Sequence, residues 1–329
     1  MYIIKKKMLT SLFYGLTSCI GVVSSTLGIG GGCLLISLFT SYSNHFDWMQ
    51  TRYIAPLVTT TVLSNNLVRS LYYTRKKNDI HENFPLIDYS VMTLMAPFDT
   101  IGSYIGIKVN EYVGYTNIKY ITLALFLSIC VKLVLRLLKN SRTSKIYSIP
   151  LIYDKKLNFI PQISVYSLTL SMGILGYYYL SIISCLLLGL YSGVYNLKMQ
   201  SSPNIIWNKN NVVVISIGSL FIGFLSTLVG IGGSMISTPM LLSLDFKPNI
   251  IISTNSLSGL FSTISSTMQY YSKDRILFDE SLKLFVINFI SCILGTFLSL
   301  KLQKGNEKVY TSFLLVLVIF CSYLYILRI

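Results

Sequence analysis

The sequence predicts an all-α, polytopic integral membrane protein with about nine or ten transmembrane helices, built from two repeats whose first helix is broken by glycine. Three observations carry that prediction. The chain has 329 residues, of which 53% are hydrophobic and only 12% charged, with a mean hydropathy of +0.62; the surface of a soluble protein this size needs more charge. Apolar runs of helix length recur along the whole chain, and short loops hold most of the Lys and Arg. A glycine-rich motif, "STLGIGGG" at 25–32, returns as "STLVGIGGS" at 226–234, each time inside a long apolar run. Glycine costs a helix interior about 1 kcal/mol relative to Ala, so each cluster marks a break.

Taken in order, the spans are expected at 8–27 with 33–43, then 52–73, 86–109 and 117–138, with a polar, basic stretch at 139–162. The apolar block 163–198 exceeds the about 20 residues of one straight span, so two helices are expected, divided at "GYYY" (176–179). Beyond a polar loop at 199–210 come 211–229 with 234–244, then 251–271, 281–302 and 309–327. The chain therefore divides into a first membrane repeat (1–140), a basic cytoplasmic loop with middle helices (141–210) and a second membrane repeat (211–329).

The repeat has a register. An offset of 202, from Gly28 to Gly230, also pairs Gly21 with Gly223, Ser24 with Ser226 and Ser25 with Thr227. Further on, "SLYYTRK" at 70–76 corresponds to "MQYYSKDR" at 268–275. Duplicated halves with broken helices are a transporter signature.

The formal net charge of +15 is not gathered into one patch. It clusters at Lys5–Lys7, Arg75–Lys77 and from Arg136 to Lys156, beside apolar spans. Such clusters are cytoplasmic anchors, so the lipid bilayer accounts for the charge and nucleic acid is not an expected partner. If 8–43 crosses an odd number of times, all three clusters share one face, the N-terminus is cytoplasmic, and loops 44–51 and 110–116 lie opposite. The first apolar stretch runs on into the glycine cluster and is expected to be an uncleaved span.

Enzyme chemistry finds no support. The six cysteines stand singly in apolar stretches and read as buried thiols. His45 and His81 are in loops, and the sequence holds no GxSxG, HExxH or P-loop motif. No cofactor and no metal are expected.

The ordered set "GIGGG" (28–32), "PLIDYS" (85–90), "GIGGSMISTPMLL" (230–242) and "STNSLSGLFSTISSTMQYY" (253–271) resembles the TauE/SafE family of sulfite and organosulfonate exporters, most closely its eukaryotic branch. The resemblance covers nearly the whole chain. It implies a secondary transporter or facilitator whose substrate is a small anion, sulfite or an organosulfonate. Two departures stand out: Ser37 aligns with Pro239, where the family carries proline after both glycine clusters, and Asp99 sits where an apolar residue is expected.

The candidate substrate groups follow from the breaks. Unwound backbone at Gly28, Gly30, Gly31, Gly32, Gly230, Gly232 and Gly233, with Ser234, can turn N–H groups toward an anion. Thr59, Thr60, Asn255 and Ser256, on the hydroxyl-rich stretches after each break, can add donors. The competing roles are close helix packing for the glycines and bonds to the helix's own carbonyls for the hydroxyls. Asp99, mid-span, either carries a coupling proton or bonds to neighbouring hydroxyls as a structural group; Arg69 and Lys132 are expected to snorkel to the basic loops, and an inward Arg69 would pair with an anionic substrate or Asp99. The alternative function is a membrane interaction or trafficking protein that keeps the fold without transport.

Overall fold

The computed structural model describes residues 2–28, 30–43, 45–46, 48–77, 84–113, 115–138, 160–174, 177–302 and 307–326. His81, Gly176 and most of the basic stretch 139–162 lie outside the described residues. Among those described are twelve helices: α1 (Tyr2–Leu27), α2 (Gly32–Tyr42), α3 (Thr51–Tyr73), α4 (Tyr89–Tyr112), α5 (Tyr115–Leu138), α6 (Ile160–Ile174), α7 (Tyr178–Met199), α8 (Lys209–Val229), α9 (Ser234–Ser243), α10 (Pro248–Tyr271), α11 (Phe278–Leu302) and α12 (Glu307–Ile326). Five of them (α1, α5, α7, α8 and α11) are long and apolar enough to cross a membrane. The block 163–198 is two helices, as its length requires.

Local chemistry sets several boundaries. The Asp88 side chain accepts from the Val91 N–H at 3.3 Å and so caps α4, which starts three residues later than the apolar run suggests. The same carboxylate accepts from Asn204 Nδ2 at 2.8 Å and from Ser202 Oγ at 2.5 Å, tying the loop before α8 to the start of α4. Asn208 caps α8 through the Asn211 N–H at 2.7 Å, and Pro248 opens α10, where its missing N–H costs nothing.

Contacts along the helices give their directions. Tyr14 donates to Glu280 at 2.9 Å and Ser18 meets Ser291 at 2.8 Å, so α1 runs parallel to α11. Asn288 donates to the Thr61 carbonyl at 2.8 Å and Tyr73 meets Ser299 at 3.2 Å, so α3 also runs parallel to α11. By contrast Arg69 reaches the Ile252 carbonyl at 3.0 Å while Asn66 reaches Thr263 at 3.5 Å, which makes α3 and α10 antiparallel. Helix α4 runs with α8 and α10: Asn110 donates to the Leu228 carbonyl at 2.7 Å, and the Asp88 N–H donates to Thr254 at 3.0 Å.

Because α1 and α3 point the same way, α2 must return between them. It does: Phe13, midway along α1, packs at a tilt against Phe39 and Tyr42 of α2, both at 5.4 Å, and against Phe46 at 5.4 Å. The 11 residues of α2 rise about 16 Å, half of the about 30 Å hydrocarbon layer. Segment 8–43 thus folds as a helical hairpin whose two ends lie at one end of the bundle, which differs from the path expected for an odd number of crossings. The start of α1 and the loop after α3 lie at opposite ends of the bundle, so Lys5–Lys7 do not share a face with Arg75–Lys77. Loop charge alone misled here, because the short return helix is as apolar as a true span.

Helices α8 and α9 form a second hairpin entering from the other end, with Met240 folded back onto Gly218 and Gly233 onto Ile222. The two hairpins dock on matched partners. Gly223 packs on Asp99 and Gly106 on Phe224 and Thr227; Gly21 packs on Asn288 and Gly295 on Val22 and Ser25. The α8 members of these contacts follow their α1 counterparts by 202 positions, and Asn288 and Gly295 follow Asp99 and Gly106 by 189.

This path predicts a labelling pattern. In a chain with the native cysteines replaced, Lys77→Cys and Lys209→Cys should react with an impermeant thiol reagent from one face. Tyr112→Cys should react only from the other, the face that also bears an N-terminal tag. Lys77→Cys reacting on the same face as the tag would refute the hairpin path.

Candidate functional site

Each hairpin turns on glycine. Gly28, Gly30 and Gly31 have φ of 74°, 77° and 77°, and Gly230 and Gly232 have φ of 87° and 83°. Among the described residues these five are all the glycines with positive φ, a conformation that costs other L-residues about 1–2 kcal/mol. Gly230 closes α8 by donating to the Ser226 carbonyl at 2.7 Å. Helix α2 then starts at Gly32 and α9 at Ser234, so the unpaired N–H groups of both first turns sit at the tips.

The tips meet inside the bundle. A Cβ on Gly32 would strike the Ile231 carbonyl oxygen, one on Gly30 would strike Ser234 Oγ, and one on Gly232 would come within 3.6 Å of the Gly32 Cα. Beside the second tip lies a small buried cavity of about 30 Å³. Gly230, Gly232, Gly233 and Ser234 line it, with Thr59 and Asn66 from α3, Asp99 from α4, and Asn255 and Ser262 from α10.

Four of these lining groups hold buried polar atoms that make no hydrogen bond within the protein: Asp99 Oδ1, Ser234 Oγ, Asn66 Oδ1 and Asn255 Oδ1. Their side chains are otherwise held in place. Asn255 Nδ2 donates to Thr238 Oγ1 at 3.3 Å and Asn66 Nδ2 to Thr263 Oγ1 at 3.5 Å. Such atoms are costly in a low-dielectric interior unless something pairs with them. Asp99 Oδ1, Asn66 Oδ1 and Asn255 Oδ1 are acceptors that call for a donor such as water, whereas the Ser234 hydroxyl is the unpartnered group that can donate to an oxyanion.

The sequence-predicted residues divide. Gly230, Gly232, Gly233, Ser234, Thr59, Asn255 and Asp99 come together at the cavity. Gly28, Gly30, Gly31 and Gly32 form the opposite tip, which touches the second one without lining the cavity. Thr60 and Ser256 donate to their own helices, at the Leu57 and Ile252 carbonyls, 2.9 and 2.5 Å away; Thr59 also back-bonds, to Ala55 at 2.8 Å. Asn66 and Ser262 were not singled out by sequence, although Ser262 falls in the quoted stretch 253–271 and Asn66 lies two turns beyond Thr59 and Thr60.

Arg69 departs from expectation. It does not snorkel: its side chain is 0% exposed, Nη2 donates to the Ile252 carbonyl at 3.0 Å, and Nε and Nη1 have no partner. The reason is the packing of α3 against α10 and α11, which leaves no path along the helix to the basic loop. Lys132 is exposed on α5. Of the cysteines, Cys33, Cys185, Cys292 and Cys321 are buried and Cys19 is exposed, all as free thiols.

The matches to known proteins cover this same machinery. A family model described as "Sulfite exporter TauE/SafE" matches residues 4–133 and 215–329, which hold both tips and the helices around the cavity. A curated relative, the probable membrane transporter protein ORF9 of Sinorhizobium sp., is 28% identical over 100 residues, 30% of this chain and 38% of that protein. The match therefore spans well under half of that relative's length. No solved structure matches the chain significantly.

The tip geometry separates two kinds of glycine. Gly232→Ala meets only ordinary contacts and should cost about 1–2 kcal/mol through its positive φ, with Gly232→Asn milder because Asn tolerates that region. Gly32→Ala, at a helical position, should cost more by pushing the tips apart. Thermal unfolding of the purified variants checks the order; Gly32→Ala as stable as wild type would mean the tips do not touch.

Proposed function

The chain belongs to the sulfite exporter TauE/SafE family, a family of membrane transporters, and from that premise we propose that it carries a small anion, sulfite or an organosulfonate, across the bilayer. One observation supports the site above all others: the unpartnered Ser234 hydroxyl stands at the start of a helix, beside a buried cavity where two glycine turns meet. In a bilayer, irregular backbone is tolerated where it is buried in protein or lines a water-filled cavity, and broken helices of this kind hold substrate in repeat-built transporters.

The two halves are read as inverted copies. Equivalent helices α3 and α10 run antiparallel, and the matched contacts recur at fixed offsets. The end of the bundle with Arg75–Lys77 is assigned to the cytoplasm on its basic loops. The cavity is buried among the helices, so an anion reaches it only if the tips part on one side and then on the other, which is alternating access.

Asp99 sets the sign of coupling. An ionised carboxylate beside the tip repels an anion at short range in a low dielectric. Protonated, the same group becomes a donor to it. Proton and anion then enter together, and the proton need not leave the pair until the cavity opens on the far side.

Proteoliposome flux of a labelled organosulfonate, whose charge does not titrate over the range used, tests this. Saturable flux should rise as pH falls, and folded Asp99→Asn should transport with a flat pH profile. An unchanged profile in the variant removes Asp99 from coupling, and absence of saturable flux across a panel of sulfite and sulfonates removes the transport reading itself.

A further inference from the structure

Behind the second hairpin, on the side away from the tips, α5 stands off from α8 and α9. The gap is a lateral groove of about 780 Å³, within the about 300–1,000 Å³ typical of ligand-holding clefts. Leu125, Ile129, Lys132 and Arg136 line it from one stripe of α5, spaced three or four residues apart. The facing wall is apolar: Val214, Ile217 and Phe221 of α8 line it while 46%, 53% and 56% exposed. Pro239 and Met240 of α9 form its floor.

The two cations lie together at one end. Arg136 Nη1 pairs with Asp245 Oδ1 at 3.0 Å, at the base of the second hairpin, which is the end of the bundle where α4 and α10 begin and where Arg75–Lys77 lie. Lys132 stands one turn deeper. A soluble anion would meet Lys132 only by entering an apolar crevice that opens sideways between bilayer-spanning helices. A molecule that is already in the bilayer, with apolar tails and a negative head, satisfies both halves of the groove at once.

We propose that this groove binds an anionic phospholipid from the leaflet at the basic end of the bundle. Its phosphate lies on Lys132, and an acyl chain lies along Ile217, Phe221 and Met240. The site touches the moving part of the proposed transporter from behind, because Met240 belongs to the helix that begins at Ser234 in the second tip. A bound lipid therefore fixes the distance between α5 and the hairpin. That regulatory consequence rests on the transport reading; the binding itself does not.

The test is thermal stability of the purified full chain in detergent, titrated with phosphatidylglycerol or phosphatidylcholine. Wild type should be stabilised saturably by phosphatidylglycerol and much less by phosphatidylcholine. Lys132→Gln, at an exposed position, should fold normally and need about fivefold more anionic lipid for the same shift, whereas Lys132→Arg should keep the wild-type response. Val214→Trp, which fills the groove from an exposed position, should abolish the response without lowering basal stability. Equal stabilisation by the two lipids, an unaltered response in both Lys132→Gln and Val214→Trp, or the same shift from inorganic phosphate alone would overturn the proposal. A chain that shows the lipid response but no anion flux would count against the transport reading and leave the lipid site standing.

Discussion

The two hairpins can meet tip to tip only because the residues at their contact lack a Cβ. Gly30 and Gly32 leave no room for one, and positive φ at five glycines reverses each chain within a few residues. Everything else in the bundle is arranged around that contact. Helix α3 crosses behind one tip and α10 behind the other, while α4 and α11 close the flanks through backbone-to-backbone approaches at Gly102, Gly106 and Gly295. Packing of this kind supplies the association that the hydrophobic effect cannot provide between helices already in lipid.

The same contact decides where polarity is tolerated. Most hydroxyls of α3 and α10 are neutralised locally, donating to carbonyls three or four residues back, as Thr61 does to Leu57 at 2.7 Å and Ser266 to Ser262 at 2.9 Å. Of the groups left over, Asn66, Asp99, Ser234 and Asn255 lie beside the second tip, and Asn65 and Asn288 lie against the first hairpin. Its structural counterpart at the first tip carries Asn288 in place of Asp99; Asn288 Nδ2 donates to the Thr61 carbonyl and Ser64 at 2.8 and 2.9 Å, and its Oδ1 has no partner.

Much of the fold was legible in the sequence. Apolar runs located the spans to within a few residues, and duplicated glycines located both tips, since glycine in positive φ leaves a compositional trace. Direction did not leave one. Whether "CLLISLF" continues outward or folds back depends on Phe13 meeting Phe39 and Phe46 across the hairpin, a contact between residues far apart in sequence. The position of Arg69 was illegible for a similar reason: its distance from the loop permits snorkelling, and only the packing of α3 between α10 and α11 forbids it. Among the hydroxyls, sequence supplied the right stretches but not the rotational phase, which is why Thr60 and Ser256 fall away from the cavity while Asn66 and Ser262 face it.

The central claim is that the tips part to expose the polar cavity to each side of the membrane in turn. Reactivity of a single cysteine, Ser234→Cys in a chain with the native cysteines replaced, measures this directly in oriented vesicles. The account predicts modification by an impermeant thiol reagent applied from either face, at rates well below that of Tyr112→Cys at the surface. Modification from neither face in a folded protein would contradict it and make the glycine turns a sealed packing device.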